Sequence, residues 1–323
     1  MRKSVTLLFI LFSILASSVS YAKPSRTQYL NIPAPALEAS KLNTATEQSI
    51  YVYLPPSYFV SDKKYPVVYY LHDFQAGPFE ARAISGNTLD NYSAENQIQE
   101  MIIVGVTGSN SFYTNSPITG NWEDFVTTDV LNYVDNNFRT LAAASNRGIV
   151  GFSMGGFAAI NIAFRHPDKF KHVFSLSPGL FAPTGLAKAV NQWQQQGWTP
   201  VLDAYAAAFA PNPNSKDGKL WHEWDASDPA VVKMWQSGYG DIDQKIEAYL
   251  LKPDKLTSIY VEYGSEDSFQ WIPEGSRYLV QALSSKGVNV GEYDHGSGHV
   301  ITYLQAEHII DFFGRAFSSE KQL

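Results

Sequence analysis

The stretch RGIVGFSMGGFAAINIAFRH, residues 147–166, joins two different hydrophobic patterns through a serine. Its first part is almost continuously apolar, which is typical of a strand buried on both faces of a parallel sheet. From Met154 onward, apolar residues recur every three or four positions, which predicts a helix that ends at Arg165. The sequence therefore predicts a strand, a tight turn at Ser153 and a helix, as in an α/β layer fold.

The same two patterns alternate along most of the chain. The predicted strands, several of them continuously apolar, are Ser49–Leu54, Tyr65–His72, Met101–Val106, Arg147–Phe152, His172–Leu176, Ser258–Tyr263 and Val288–Tyr293. The predicted helices are Trp122–Phe138, Met154–Arg165, Ser276–Lys286 and Val300–Phe317. This alternation predicts an α/β fold with a mostly parallel central sheet and helices on both of its faces.

Residues 179–253 interrupt the alternation. They are rich in glutamine and tryptophan, include the loop-like stretch APNPNSKDGK and contain no clear strand pattern. We expect a lid-like insertion after the sixth strand, because the apolar pattern is too weak to predict a separate core. Whether the tryptophans of this insertion line a substrate pocket or only anchor it to the body is open at this point. They are Trp193, Trp198, Trp221, Trp224 and Trp235.

Composition excludes several classes of protein. The chain has 323 residues, a net charge of -7 and 45% hydrophobic residues, so it is globular and carries no basic stripe that would bind nucleic acid. It contains no cysteine, which excludes disulfides and thiolate chemistry. After the N-terminus, no stretch is apolar enough to predict a membrane span.

The N-terminus has the three parts of a secretory signal. Arg2 and Lys3 precede an apolar run over residues 5–15, and the small residues Ser20 and Ala22 follow it. We expect cleavage after Ala22, so that residues 1–22 are a signal peptide and residues 23–323 form one exported domain, periplasmic or extracellular. The alternative is an uncleaved anchor, but the run is shorter than the roughly 20 residues that span a bilayer.

Ser153 lies in a G-x-S-x-G pattern between a predicted strand and a predicted helix, the setting of a nucleophilic serine on a sharp turn. An ordinary turn with a serine N-cap is the alternative. A nucleophilic serine requires a histidine base and an acid that orients it. YVEYGSEDSF places Asp267 after one predicted strand, and YDHGSGHVITYL places His299 after the next. Both therefore lie at the sheet edge where open α/β folds build their sites.

Neighbouring residues compete for these roles. Glu266 is adjacent to Asp267, and the pattern alone leaves it open as the acid. His295 lies four residues before His299 and nearer the strand end, whereas His299 directly precedes the last predicted helix and is therefore favoured. His308 falls within that helix, where we expect packing or a surface position.

Three stretches together resemble the esterase D family of α/β-hydrolases, which includes feruloyl and acetyl esterases, S-formylglutathione hydrolases and mycolyltransferases. They are YPVVYYLHDF, SFYTNSPITGNWEDFVTTDVLNYVDNNFRT and RGIVGFSMGGFAAINIAFRHPDKFKHVFSLSP. YGSEDSF and GSGHVITYL resemble that family's acid and histidine segments. The resemblance covers roughly residues 45–315 and is weak through the insertion. It implies an α/β-hydrolase fold.

The resemblance also implies roles for individual residues. Ser153 corresponds to the nucleophile, Asp267 to the acid and His299 to the base. The backbone N–H groups of Met154 and Phe74 correspond to the oxyanion hole. The chain departs from the family pattern next to Phe74, because it reads LHDF where the family has glycine in place of the aspartate.

The function implied is that of a secreted serine carboxylic-ester hydrolase that forms an acyl-enzyme, without metal or other cofactor. HEW at residues 222–224 lacks the second histidine of a zinc-protease motif, which agrees with this expectation. We expect acyl esters of carbohydrates, feruloyl or acetyl, as substrates, because export disfavours S-formylglutathione. The alternatives are an acyltransferase to a sugar acceptor and a non-catalytic relative that binds a glycan or a protein.

Overall fold

The computed structural model describes residues 26–216 and 218–319. The predicted signal peptide lies outside these described residues. The main sheet has eight strands in the order β1-β2-β4-β3-β7-β8-β9-β10, and β5 and β6 form a separate hairpin. The strands are β1 (Thr27–Pro33), β2 (Glu47–Tyr53), β3 (Val67–Leu71), β4 (Ile102–Val106), β5 (Asn115–Ser116), β6 (Gly120–Asn121), β7 (Arg147–Phe152), β8 (His172–Leu176), β9 (Ser258–Tyr263) and β10 (Gly291–Asp294).

Helices lie in most of the connections between the strands. The α-helices are α1 (Asn87–Asn96), α2 (Trp122–Asp124), α3 (Leu131–Asn137), α4 (Met154–Arg165), α5 (Gly185–Gln195), α6 (Thr199–Phe209), α7 (Pro229–Gln236), α8 (Ile242–Leu250), α9 (Trp271–Ser285) and α10 (Tyr303–Ser319). A π-helical segment, Phe125–Val130, joins α2 to α3, and short 3-10 helices cover Pro35–Leu37, Tyr58–Val60, Pro78–Ile84 and Ala144–Asn146. None of the helices in the described part of the chain is long and apolar enough to cross a membrane.

The sheet is mostly parallel, as predicted. β1 pairs antiparallel with β2, β2 pairs antiparallel with β4, and the remaining pairs of the main sheet are parallel. Alternate residues of β3 pack on opposite faces: Val67 and Tyr69 belong to one apolar cluster, and Val68 and Tyr70 to the other. Both faces of the central strands are therefore buried, and the predicted α/β class is confirmed.

The outermost strand at one end of the sheet is β10. It pairs only with β9, and three of its four residues are exposed. The sequence predicts this strand over residues 288–293, but Val288 N–H donates to Leu283 O at 3.0 Å at the end of α9. Val288 therefore belongs to the turn after α9, and the strand begins at Gly291.

The region predicted as an insertion follows β8, which is the sixth strand of the main sheet along the chain. Its described residues include four helices, α5 to α8. Buried side chains of these helices, among them Trp193, Tyr205 and Ile246, belong to the same apolar cluster as one face of the sheet. The insertion therefore shares the core of the body; its action as a lid stays a prediction.

A glycine in α4 allows the helix to approach the sheet. A Cβ atom at Gly155 would lie 1.9 Å from Leu71 O and 2.7 Å from His72 O, which are backbone atoms that have little freedom to move. We expect Gly155→Ala to lower the free energy of unfolding by about 3 kcal/mol. Urea unfolding measures this difference.

The matched control is Gly77→Ala. Gly77 has an extended φ of −156°, and a Cβ there would meet no atom within 4 Å. We therefore expect a change of less than about 0.5 kcal/mol for Gly77→Ala. Equal stabilities for the two variants would contradict the close approach of α4 to β3.

Candidate active site

Ser153 lies on a strained turn between β7 and α4. Its φ of 55° and ψ of −111° place a non-glycine residue in a rarely occupied backbone region. Hydrogen bonds to neighbouring segments hold the turn: Ser153 N–H donates to Leu176 O, and Ser153 O accepts from Gly179 N–H, each at 3.0 Å. The half-buried Ser153 side chain lines a cavity of about 410 Å³.

The structure brings His299 and Asp267 together. The Nδ1 atom of His299 lies 2.6 Å from Oδ2 of Asp267, which is fully buried. The other carboxylate oxygen, Oδ1, accepts a hydrogen bond from the Phe269 N–H at 2.8 Å. Because the carboxylate accepts from Nδ1–H, the neutral imidazole leaves Nε2 free to take a proton. Since His299 lines the same cavity as Ser153, the geometry suits a serine–histidine–aspartate arrangement.

Aromatic rings orient the imidazole. The ring centroid of His299 lies 4.6 Å from that of Phe152 and 5.3 Å from that of Phe269. Phe152 directly precedes Ser153 in the chain, so the same strand end carries the serine and supports the histidine.

The other candidates for the acid and the base, Glu266, His295 and His308, do not line this cavity. Glu266 is exposed, and His295 Nδ1 lies 2.8 Å from the Ser297 hydroxyl within its own loop. His308 on α10 pairs with the fully buried Glu262, with Nδ1 3.0 Å from Oε2. Burial raises the pKa of Glu262. The structure therefore pairs Asp267, and not Glu266, with His299.

Aromatic side chains form a large part of the cavity wall. The rings that line it belong to Phe74, Phe112, Trp193, Trp198, Tyr239, Phe269 and Trp271. Their apolar faces suit an acyl chain or an aromatic acid. Trp271, which lies outside the predicted insertion, went unnoticed in the sequence; its position four residues after Asp267 was the available signal.

The tryptophans of the insertion divide into two groups. Trp193 and Trp198 line the cavity. Trp235 is buried, and its ring centroid lies 5.2 Å from that of Tyr205 and 5.5 Å from that of Trp224. The remaining one, Trp221, donates from Nε1 to Asp203 Oδ1 at 3.3 Å. The first group therefore lines the pocket, whereas these contacts of the second group are made within the insertion itself.

Two of the residues that line the cavity with Ser153, Met154 and Phe74, are candidates for oxyanion donors through their backbone N–H groups. Met154 begins α4, so its N–H is one of the helix N-terminal donors without an intrahelical acceptor. Phe74 lies in the loop after β3. Within residues 26–216 and 218–319, neither N–H donates to another protein atom. Both residues line the cavity with Ser153 and are therefore available to an oxyanion.

The buried His72 holds the loop that carries Phe74. Its Nε2 accepts a hydrogen bond from Gly108 N–H at 2.9 Å, so Nδ1 carries the proton and donates it to Asp73 O at 2.7 Å. Burial lowers the pKa of His72 to about 4. His72 is therefore neutral near pH 7, and its two bonds hold the strand end against the next loop. Sequence reasoning assigned it no role.

Asp73 fits the loop without the backbone freedom of glycine. It has a negative φ, whereas its neighbour Gln75 has a φ of 67°. Asp73 N–H donates to Oε2 of Glu80 at 3.0 Å, and that oxygen also accepts from the Tyr70 hydroxyl at 3.1 Å. Burial raises the pKa of Asp73, while the nearby His299 charge lowers it. The substitution of aspartate for the glycine of the family pattern is therefore compatible with the loop.

Glu80 makes stability depend on pH. Burial and the charge of Asp73 raise its pKa from 4.5 to about 7. Between these values the folded chain holds a proton that the unfolded chain has released, so stability falls as pH rises through this range. We expect wild type to lose about 2 kcal/mol relative to Glu80→Gln between pH 5 and 8. Urea unfolding at both pH values measures the free energy of unfolding of each protein. The same pH dependence in the two proteins would contradict the raised pKa of Glu80.

Comparison with known proteins places the chain in a family. A family model described as "Putative esterase" matches residues 42–307. An esterase from Mycobacterium tuberculosis is 31% identical over 272 residues, which are 77% of this chain and 52% of that protein. The chain thus spans about half the length of the curated relatives it matches most extensively. An endo-1,4-beta-xylanase/feruloyl esterase from Xylanibacter ruminicola is 31% identical over 153 residues, which are 44% of this chain and 21% of that protein.

Solved structures share the fold. A ferulic acid esterase superposes with a TM-score of 0.61 and 23% identity, covering 90% of this chain and 98% of its own. An S-formylglutathione hydrolase from Staphylococcus aureus has a TM-score of 0.61 and 18% identity, covering 90% of this chain and 99% of its own. These likenesses confirm the α/β-hydrolase fold. Because the family model covers most of the chain, the resemblance predicted from the motifs is confirmed, and the protein belongs to this esterase family.

Proposed function

We propose that the protein is a serine carboxylic-ester hydrolase. His299 takes the proton of Ser153 as the serine oxygen attacks the ester carbonyl, and Asp267 orients the imidazole and stabilises its charged form. The N–H groups of Met154 and Phe74 bind the tetrahedral oxyanion. His299 then protonates the leaving alcohol. In the second half of the reaction, His299 takes a proton from the water that attacks the acyl-enzyme and returns it to the Ser153 oxygen as the acid is released.

One observation carries the proposal. The 2.6 Å contact between His299 and the fully buried Asp267 fixes a base whose ring lines the same cavity as a serine held at a φ of 55°. A serine that served only as a turn residue has no need of a histidine oriented in this way. Family membership supports the same reaction class.

Acyl esters of carbohydrates, with feruloyl or acetyl groups, are the substrates we propose. The cavity of about 410 Å³ lies within the range of about 300–1,000 Å³ that holds small ligands. Its aromatic wall suits a planar aromatic acid, and one relative in the comparison is named as a feruloyl esterase.

A fluorophosphonate, which traps activated serines covalently, tests the proposal. We expect intact-protein mass spectrometry to find a single adduct on the wild type and none on Ser153→Ala. Peptide mapping then locates the adduct at Ser153. Absence of an adduct on folded wild-type protein would overturn the proposal and favour the non-catalytic alternative, for which glycan binding is the next measurement.

An acyltransferase differs only in what resolves the acyl-enzyme. Incubation of wild type with a feruloyl ester and an excess of free sugar separates the two reactions. Free acid as the main product supports the hydrolase, and transfer of the acyl group to the sugar at a rate above hydrolysis would contradict it.

We also propose that the protein is exported with cleavage after Ala22. The charged start, the apolar run and the small residues before Lys23 support this. Mass spectrometry of protein recovered from the periplasm or the medium is expected to find an N-terminus at Lys23. Recovery of the chain with Met1 still attached would contradict the cleavage.

A further inference from the structure

We propose that Asp73 is a specificity residue that accepts a hydrogen bond from a hydroxyl group on the alcohol portion of the ester. The inference rests on the proposed ester hydrolysis and deepens it, because it names the kind of alcohol the site favours. An ester of a sugar or another polyol offers such a hydroxyl, whereas an ester of a simple alkanol does not.

The position of Asp73 places it on the alcohol side. It lines the cavity beside Phe74, whose N–H is the proposed oxyanion donor, and His299 lines the same cavity. His299 is the group that protonates the leaving oxygen, so the alcohol must lie next to its ring. A second oxygen on the same alcohol is therefore the substrate atom best placed to reach the Asp73 carboxylate.

The carboxylate has capacity for a further donor. Within residues 26–216 and 218–319, the group that donates to it is the backbone N–H of Ala76, while an ionised carboxylate accepts at about four positions. Among the described residues, neither lysine nor arginine lines the cavity. A hydroxyl donor would satisfy the spare acceptor positions, whereas an alcohol portion with its own carboxylate would be repelled.

The loop holds this acceptor in place before substrate arrives. Glu80 accepts from the N–H of Asp73 at 3.0 Å, and the buried His72 donates to its carbonyl oxygen at 2.7 Å. The backbone is thus fixed on both sides of the residue. A preorganised acceptor costs little entropy when it binds, so its hydrogen bond contributes to discrimination between alcohols.

The test compares two esters of one aromatic acid, a monosaccharide ester and a methyl ester. We expect Asp73→Ala to lower the ratio of kcat/KM for the sugar ester to kcat/KM for the methyl ester by about 10-fold or more, because a hydrogen bond to a charged group is lost. Asp73→Asn, which keeps the shape of the side chain, is expected to lower the ratio in the same direction.

Glu80→Gln is the matched control. It removes a carboxylate that contacts the same loop but does not line the cavity, and its amide oxygen still accepts from Asp73 N–H. We expect it to leave the ratio within about 2-fold of wild type. A comparable fall of the ratio in this variant would show that loop conformation, and not contact with the carboxylate, controls selectivity, and would overturn the proposal.

The other outcomes are distinct. An unchanged ratio in folded Asp73→Ala and Asp73→Asn, with fluorophosphonate still labelling Ser153, would overturn the role of Asp73 and leave ester hydrolysis intact. If Asp73→Ala does not fold, the ratio in Asp73→Asn decides. Failure of wild type to cleave either ester and to form an adduct would overturn the proposed function, and the Asp73 inference with it.

Discussion

Ser153→Ala is expected to lower kcat for ester hydrolysis by roughly 10⁴- to 10⁶-fold. The methyl group cannot attack the carbonyl, so only the oxyanion donors and the binding cavity remain to accelerate the attack of water. The overall stability of the variant should change little, because the turn is held by backbone hydrogen bonds of Ser153 that alanine keeps. Initial rates with a chromogenic ester and a thermal unfolding scan of each protein measure both quantities.

Ser177→Ala is the matched control. Ser177 also follows a parallel strand and also has a positive φ, of 42°, and its buried hydroxyl has no hydrogen-bond partner in the described part of the chain. We expect its kcat to stay within about 3-fold of wild type. Retention of more than about 1% of wild-type kcat in Ser153→Ala, or an equal loss in both variants, would contradict the nucleophile assignment.

Asp267→Asn is expected to reduce kcat by about 10⁴-fold while the protein stays folded. An amide that turns its NH₂ group toward His299 stabilises the tautomer with the proton on Nε2, which cannot accept the serine proton. The amide also fails to stabilise the imidazolium that forms during attack. Steady-state kinetics at pH 7 to 8 give the loss in kcat.

Glu266→Gln tests the neighbouring carboxylate with the same change of charge. Glu266 is exposed, whereas Asp267 is fully buried against His299. We therefore expect Glu266→Gln to change kcat by less than about 2-fold. A larger loss of kcat in Glu266→Gln than in Asp267→Asn would identify Glu266 as the acid.

The strands that carry the site were predictable from sequence. β7, β8 and β9 begin and end at the predicted residues, because each is a short apolar run between polar turns and is buried on both faces. α4 is also exact, since its apolar spacing begins directly after Ser153. The order serine, aspartate and histidine then follows from which residues come after β7, β9 and β10.

Other elements lacked such a signal. β1 went unpredicted because it is an edge strand with a single fully buried residue, Ile32, and therefore has no continuous apolar run. The helices of the insertion are short, and α7 went unpredicted although Asp228 and Pro229 at its start are a helix-start signal; the Asp228 side chain accepts from Ala230 and Val231 N–H. Local sequence therefore predicted the core better than the surface.

Contacts between loops that are distant in sequence could not be predicted either. The bond from Gly108 to His72 joins residues 36 positions apart, and no local pattern indicates it. At position 73 the sequence shows an aspartate in place of a glycine, but only the structure shows that its φ is negative and that its N–H donates to Glu80.

The three proposed catalytic residues belong to parts of the sheet that differ in how firmly they are held. Ser153 follows β7, which has neighbours on both sides, but His299 follows β10, the outermost strand, with three exposed residues of four. Local opening of a poorly buried edge requires less free energy than global unfolding. Detachment of β10 would separate base from nucleophile while the core stays intact. We therefore expect activity to be lost on heating at a lower temperature than the one at which the core unfolds.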